Sequence, residues 1–321
     1  MMRGFSLTPF RFSTQASGIP FRYGVFEREL PVNLALSRLS PMPPAPLIHA
    51  ETLIERYDAL FFDAYGVLLH RDGPLPGACQ LLERLHQLGK PYFVVTNSAA
   101  RLPEHAAVRY QQFGFPLEAH QIITAGSLIA PHFKAQGLEG QRCAVLGPED
   151  SHRFVEQAQG IAVPATEPFD VLVIGDQVGF PFVEHMDATL THLIQRFDAD
   201  RPVALVLPNP DLIYPKPDGF GLTCGAMATL IEAVLQQRYP ERKDIRFTIL
   251  GKPMPALFEE AVRRAGTRNA VMIGDQIETD IRGAHAIGID SALVTGGVAE
   301  LSFFADDLAY PPTYQLPNLL L

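Results

Sequence analysis

The sequence contains no tryptophan, only three cysteines, and no block of lysine or arginine anywhere along its 321 residues. Each shortage removes a class of protein. Cys79, Cys143 and Cys224 are far apart and match neither a zinc spacing nor a secreted disulfide framework, so they read as buried thiols of a reducing, cytoplasmic compartment. The histidines are scattered without an H-x-x-x-H pair in a helical context, which argues against a histidine-held metal. A formal net charge of -9 with no basic cluster lacks the electrostatic footprint of a nucleic-acid binder. No apolar run approaches the ~20 residues of a membrane helix, so a membrane partner is not expected either. What is left is a soluble globular composition, 47% hydrophobic and 19% charged, in a chain long enough for two domains.

The first 45 or so residues stand apart. Arg3, Arg11, Arg22, Arg28 and Arg38 face only Glu27 and Glu29, apolar periodicity is missing, and the segment ends in the proline-rich "SPMPPAPL". It lacks the amphipathic regularity of a transit peptide and the apolar centre of a secretory signal. Residues 1–49 are therefore expected to form a disordered extension, or to lie upstream of a start at Met42.

From residue 50 short apolar strands alternate with amphipathic helices. "DALFFDAY", "PYFVVTNS", "RCAVLG", "DVLVIGD", "PVALVLPN", "FTILGK", "AVMIGDQ" and "DSALVTGG" read as strands. Between them lie helical stretches such as "GACQLLERLHQLG", "LPEHAAVRYQQFG", "VEHMDATLTHLIQRF" and "PALFEEAVRRAG". The rhythm predicts an α/β fold with a mostly parallel, buried sheet covered by helices. "VIGDQVGF" and "MIGDQIETD" look alike, but apolar-apolar-Gly-Asp is a common end for a parallel strand and does not establish a repeat.

Ligands of such sheets bind beyond the carboxyl ends of the strands. Four strand ends here carry polar groups: Asp63, Thr96 with Asn97, Lys252, and Asp275 with Asp280. Singly, each has a structural explanation as a cap, a turn residue or a solvated lysine. Jointly they suit phosphoryl transfer. A carboxylate can attack phosphorus, a lysine and a hydroxyl can hold the transferring oxygens, and paired carboxylates can hold Mg²⁺.

In this order the residues resemble the four motifs of the haloacid dehalogenase superfamily, as "FFDAYGVL", "VVTNS", "GKP" and "GDQIETD". The gap from Ser98 to Lys252 and the phrase "LPNPDLIYP" resemble the branch of pyridoxal-phosphate, nucleotide and nitrophenyl phosphatases, with a large α/β cap inserted between the second and third motifs. The resemblance implies a Rossmann-like core of about residues 50–124 and 246–315, with a cap of about 125–245. It makes Asp63 the nucleophile and a metal ligand, Thr96 and Lys252 the phosphate holders with Asn97 beside them, and Asp275 and Asp280 part of a Mg²⁺ site. Asn209 and Asp211 become substrate-facing residues of the cap, although an NPD sequence is also a good turn. The implied partner is a small phosphorylated metabolite, and caps of this size contribute to homodimer contacts in similar proteins.

Tyr65 departs from the pattern. Phosphatases of the family carry there a second aspartate that protonates the leaving oxygen, whereas a phenol of pKa near ~10 is a poor substitute at neutral pH. The backbone carbonyl of Tyr65 can still serve the metal, and His70 is one neighbour able to carry a proton. "FDAYG" also resembles the first motif of L-2-haloacid dehalogenases, which attack carbon without a metal. A third reading is a non-catalytic protein that binds a phosphometabolite.

Overall fold

The computed structural model describes residues 45–70, 73–216, 219–295 and 310–321. The remainder of the leader, up to residue 44, lies outside the described residues. The first third of the fold holds α1 (Ala50–Arg56), β1 (Ala59–Phe62), the hairpin strands β2 (Leu69–His70) and β3 (Gly73–Pro74), and α2 (Ala78–Gln87). It continues with β4 (Tyr92–Thr96), α3 (Pro103–Gln112) and β5 (Ile122–Thr124). The middle comprises α4 (Ile129–Gln136), β6 (Arg142–Leu146), α5 (Glu149–Gln157), β7 (Ile161–Val163), β8 (Val171–Ile174), α6 (Phe182–Asp198) and β9 (Ala204–Leu207). A hairpin of β10 (Ile213–Lys216) and β11 (Gly219–Leu222) then leads to α7 (Cys224–Arg238) and β12 (Thr248–Ile249). The chain closes with α8 (Ala256–Ala265), β13 (Ala270–Gly274), α9 (Arg282–Ile287), β14 (Asp290–Val294) and β15 (Tyr314–Leu316).

Two parallel sheets organise these elements. The first runs in the order β15-β14-β13-β1-β4-β5. Strand β1 has no exposed residue, because alternate side chains feed two apolar layers. Leu60 and Phe62 join Leu81, Leu82 and Leu85 of α2 on one face. Phe61 joins Leu257, Phe258 and Ala261 of α8 on the other. Burying each of these phenylalanines is worth about 2–3 kcal/mol, so β1 anchors the sheet centre. The second sheet, β12-β9-β8-β6-β7, is formed entirely by chain inserted between β5 and β13. It packs α6 and α7 on one face and α4 and α5 on the other.

Each sheet reverses direction near its centre. From β1 the first sheet grows through β4 and β5 to one side, and after the insertion through β13, β14 and β15 to the other. In the second, β6 is flanked by β7 and β8 in the same way. Crevices open at such reversals, because the helices following the two central strands leave on opposite faces.

Several expectations need correction. The fold begins before residue 50: Leu47 forms a bridge with Gln315, Ile48 N donates to Gln315 O at 2.9 Å, and Ile48 is buried. At the other end β15 runs to Leu316, and Leu319 is buried. "FTILG" supplies β12, which pairs with β9 in the second sheet, so Lys252 is not carried by a strand of the first. Not every expected strand is buried, since both residues of β12 are exposed, and a separate antiparallel hairpin of β10 and β11 stands beside the two parallel sheets. Edge strands and hairpins lack a second covering layer, which the uniform reading of apolar runs overlooked.

Candidate active site

Asp63 follows β1 at the reversal of the first sheet. Its backbone N donates to Ile273 O at 2.9 Å, extending the pairing with β13 by one residue before the chain turns away. The turn is tight, with Ala64 O accepting from both Leu68 N and Leu69 N. At its apex Gly66 has φ +88°, and a Cβ there would lie 2.2 Å from Asp275 Oδ2. Glycine is required on both counts, conformation and space. The loop after β1 is thereby pressed against the carboxylate that follows β13.

Asp275 precedes, and Asp280 belongs to, a π-helical turn, Ile277–Ile281. Gln276 O accepts from the backbone N of both Asp280 and Ile281. Asp280 Oδ2 in return accepts from Gln276 N at 3.2 Å. Wide turns of this kind recur at functional sites because they re-aim one side chain without ending the helix. Asp63, Asp275 and Asp280 are all buried and offer oxygens within 4.8 Å of one another.

Lys252, 2% exposed, reaches into this cluster from the loop before α8. Its Nζ donates to Asp63 Oδ1 and to Asp280 Oδ1, each at 2.6 Å. Burial alone would lower its pKa, but Asp280, Asp63 and Asp211 outweigh that and hold the ammonium charged. Asn97 fixes the lysine's backbone. Its Oδ1 accepts from Lys252 N at 2.6 Å and its Nδ2 donates to Lys252 O at 3.2 Å. The same Nδ2 donates to Asp211 Oδ1 at 3.0 Å. Thr96 is buried at the end of β4, and its Oγ1 accepts from Ser98 N at 3.3 Å.

These groups open onto a cleft of about 710 Å³ lined from both sheets. The first sheet contributes Asp63, Tyr65, Thr96, Asn97 and Gln276. The second contributes Asp176, Asn209 and Asp211 from loops past strand ends and Asp150 from the first turn of α5. The two reversals therefore face a single cleft. Tyr65 lines it too, with its ring packed against the apolar layer of the first sheet. Asn209 is occupied by its own loop: Oδ1 accepts from Asp211 N at 3.0 Å and Nδ2 donates to Thr223 Oγ1 at 3.3 Å. His70 is not among the residues that line the cleft.

Several lining residues escaped the sequence reading. His105 and Arg109 are four residues apart on α3, a spacing that puts them on one face and could have flagged them, and Arg101 lies just before the helix. Asp150 was invisible because its partners are remote in sequence: its Oδ2 lies 2.7 Å from His105 Nδ1 and accepts from Leu102 N at 3.0 Å. Beside it Ser151 Oγ donates to Ala99 O at 2.8 Å, fastening α5 to the loop after β4. Asp176 lies two residues past the end of β8, in the "VIGDQ" phrase.

A divalent cation fits the acidic cluster. Three buried carboxylates and one ammonium sum to a formal charge of -2 within the cluster, and the donors are all hard oxygens. The cluster sits where a carboxylate, Asp63, can meet an electrophile entering from the cleft, with Thr96 bordering the same space and Lys252 behind it, bonded to Asp63.

Two family models match the chain. One, described as haloacid dehalogenase-like hydrolase, covers residues 60–161, and the other, of HAD-hydrolase-like proteins, covers residues 249–320. Dihydroxyacetone phosphatase of Corynebacterium glutamicum is 26% identical over 241 residues, 74% of this chain and 81% of that protein. The solved structure of a possible sugar phosphatase of the same superfamily from Cytophaga hutchinsonii aligns with a TM-score of 0.75 at 26% identity, covering 86% of this chain and 99% of the other. Glycerol phosphate phosphatase from Mycobacterium tuberculosis in complex with magnesium aligns with a TM-score of 0.66 at 25% identity, over 83% of this chain and 77% of its own.

Proposed function

The chain belongs to the haloacid dehalogenase-like hydrolases, in the branch with a large inserted α/β unit, and on that premise we propose that it is a Mg²⁺-dependent phosphatase of small phosphomonoesters. Asp63 attacks phosphorus, and an aspartyl phosphate forms and is then hydrolysed. The observation that carries this reading is the buried Lys252 bonded at once to Asp63 and Asp280. A cation in that place orients the nucleophile and meets the anionic oxygens of an entering phosphoryl group.

In this reading Asp63, Asp275, Asp280 and the Tyr65 carbonyl would hold the metal, whose charge would offset the repulsion between a carboxylate and a phosphate. Thr96 and Lys252 hold the phosphoryl oxygens. Asn97 positions Lys252 through its two backbone bonds. The second sheet acts as the cap, with about residues 125–250 closing the cleft over the substrate. A carbon-attacking, metal-free reaction is disfavoured, because Asp275 and Asp280 would then add buried negative charge beside the nucleophile with nothing to use it. The cleft, at about 710 Å³, is of ordinary size for a small-molecule site. Phosphorylated trioses, polyols and sugars, the compounds for which similar phosphatases are named, are the first to try.

The test is phosphate release from glycerol phosphate, p-nitrophenyl phosphate and acetyl phosphate, with Mg²⁺ or with EDTA, in the native chain and in Asp63→Asn. Turnover that needs Mg²⁺ and vanishes in Asp63→Asn is expected. Turnover that survives the substitution would remove Asp63 as nucleophile, and failure on all three substrates would return attention to 2-chloropropionate.

A further inference from the structure

Tyr65 leaves the reaction without the usual source of a proton for the leaving oxygen. We infer that Asp211, on the loop after β9, is the general acid and base. This assignment rests on the phosphatase reading and adds to it the group that carries the proton.

The first argument is position. In-line displacement puts the leaving oxygen on the side of phosphorus away from the attacking carboxylate. Asp63 enters the cleft from the first sheet, whereas Asp211 enters it from the second. The two are joined through short links: Asp63 to Lys252 Nζ at 2.6 Å, Lys252 N to Asn97 Oδ1 at 2.6 Å, and Asn97 Nδ2 to Asp211 Oδ1 at 3.0 Å. Asp211 thus stands on the second-sheet side of the cleft, across from the element that carries the nucleophile, with only the Lys252 and Asn97 side chains linking them.

The second argument is rigidity. The Asn209 side chain closes a turn on Asp211 N at 3.0 Å, and Gly225 N donates to Asp211 O at 2.9 Å. A Cβ at Gly225 would fall 2.1 Å from Pro210 O, so the first turn of α7 is packed directly on the loop. General acids act best when held rather than swept through a range of positions.

The third is protonation. Burial pushes the Asp211 carboxyl up to about 7, with Asp63 and Asp280 adding to the shift and Lys252 and the Asn97 bond opposing it. Those are the charged groups facing it, with Cys224 behind on α7 and Tyr214 beside it in the cleft. A group poised near neutrality can both give and take a proton. The alternatives are weaker: Tyr65 packs its ring into the apolar layer, and His105 is half-exposed and bound to Asp150 at 2.7 Å.

The chemistry balances in two steps. Asp63 attacks phosphorus as the bond to the leaving oxygen breaks, and Asp211 gives that oxygen its proton, yielding the alcohol and an aspartyl phosphate. Water then attacks the phosphorus, its proton goes to Asp211, and the bond to Asp63 breaks. Phosphate is released with both carboxyl groups in their starting forms.

The experiment compares kcat/KM for glycerol phosphate, whose alkoxide needs a proton, with p-nitrophenyl phosphate, whose phenolate does not. Asp211→Asn should lose roughly 10²- to 10⁴-fold on glycerol phosphate and at least about tenfold less on p-nitrophenyl phosphate. The native chain should show a fall in kcat/KM for glycerol phosphate above pH 7, and Asp211→Asn should lose it. Asp211→Glu, which keeps the carboxyl group, should recover part of the glycerol phosphate rate. Equal losses on both substrates, an unchanged glycerol phosphate rate, or the same selective loss in Tyr65→Phe would each overturn the assignment. A native chain that loses turnover in Asp63→Asn while Asp211→Asn behaves in one of those ways refutes Asp211 alone. Full turnover in Asp63→Asn refutes the phosphatase reading beneath it.

Discussion

Replacing Lys252 by methionine removes one charge from the centre of the site while keeping a side chain of nearly the same length. Alanine would be a poorer probe, since it would add a cavity to the lost charge. In the native chain the ammonium lies 2.6 Å from one oxygen each of Asp63 and Asp280, with Asp275 in the same cluster. At an effective dielectric of ~20, unit charges at that distance attract by about 6 kcal/mol per pair. Much of this is spent in removing the charges from water. The net effect of deleting one partner of a buried pair is about 3–5 kcal/mol, because the carboxylates left behind are buried and uncompensated. Total stabilities of folded domains are about 5–15 kcal/mol, so the variant should lose a large share of its margin.

Urea unfolding at pH 7.5 in EDTA measures this directly. Lys252→Met should be less stable than the native chain by about 3–5 kcal/mol, and the gap should narrow as pH falls and the carboxylates take up protons. Saturating Mg²⁺ should narrow it as well, since an ion at ~100 times its Kd contributes about 2.7 kcal/mol to whichever form binds it, and the variant cluster carries one more negative charge. A deficit below about 1 kcal/mol in EDTA, or one that does not respond to pH, would refute the argument. It would mean that Lys252 is not what keeps the three carboxylates together in the folded chain.

Two further outcomes follow from the same geometry. Gly66→Ala places a methyl group 2.2 Å from Asp275 Oδ2 at φ +88°. It should destabilise the chain by about 1–2 kcal/mol from backbone strain alone and weaken Mg²⁺ binding by titration calorimetry, whereas native-like affinity would show that the loop after β1 does not set the position of Asp275. Asp211, with a folded pKa of about 7 above the ordinary carboxylate value of ~3.9, holds its proton more tightly when folded. Its stabilising contribution is therefore complete below about pH 4 and lost as pH rises through 7. Relative to Asp211→Asn in EDTA, the native chain should lose stability between pH 5 and 7 at no more than about 1.4 kcal/mol per pH unit, and parallel curves would show that the carboxyl is not perturbed.

What the sequence disclosed of this site was local, and what it concealed was apposition. Asp63, Thr96 and Asp275 could be found because each ends or directly follows a short apolar strand, and parallel strands gather their carboxyl ends. Lys252 was recognisable by the residues around it, yet its strand was assigned to the wrong sheet, since "FTILG" looks equally suited to the centre of one sheet and the edge of another. The NPD turn was legible as a turn. That Asp211 meets Asn97 depends on how the second sheet lies against the first, and no periodicity along the chain encodes that. Likewise Asp176 and Asp275 end similar phrases because both follow central strands, and they serve one cleft only because the two reversals face each other. Tyr65 is the instructive residue. Read along the chain it is a deletion of function, because local sequence offers no replacement acid. In three dimensions the requirement is only for a held carboxyl group on the leaving side of the phosphorus, which a loop from the opposite sheet can meet as well as a neighbour two residues away.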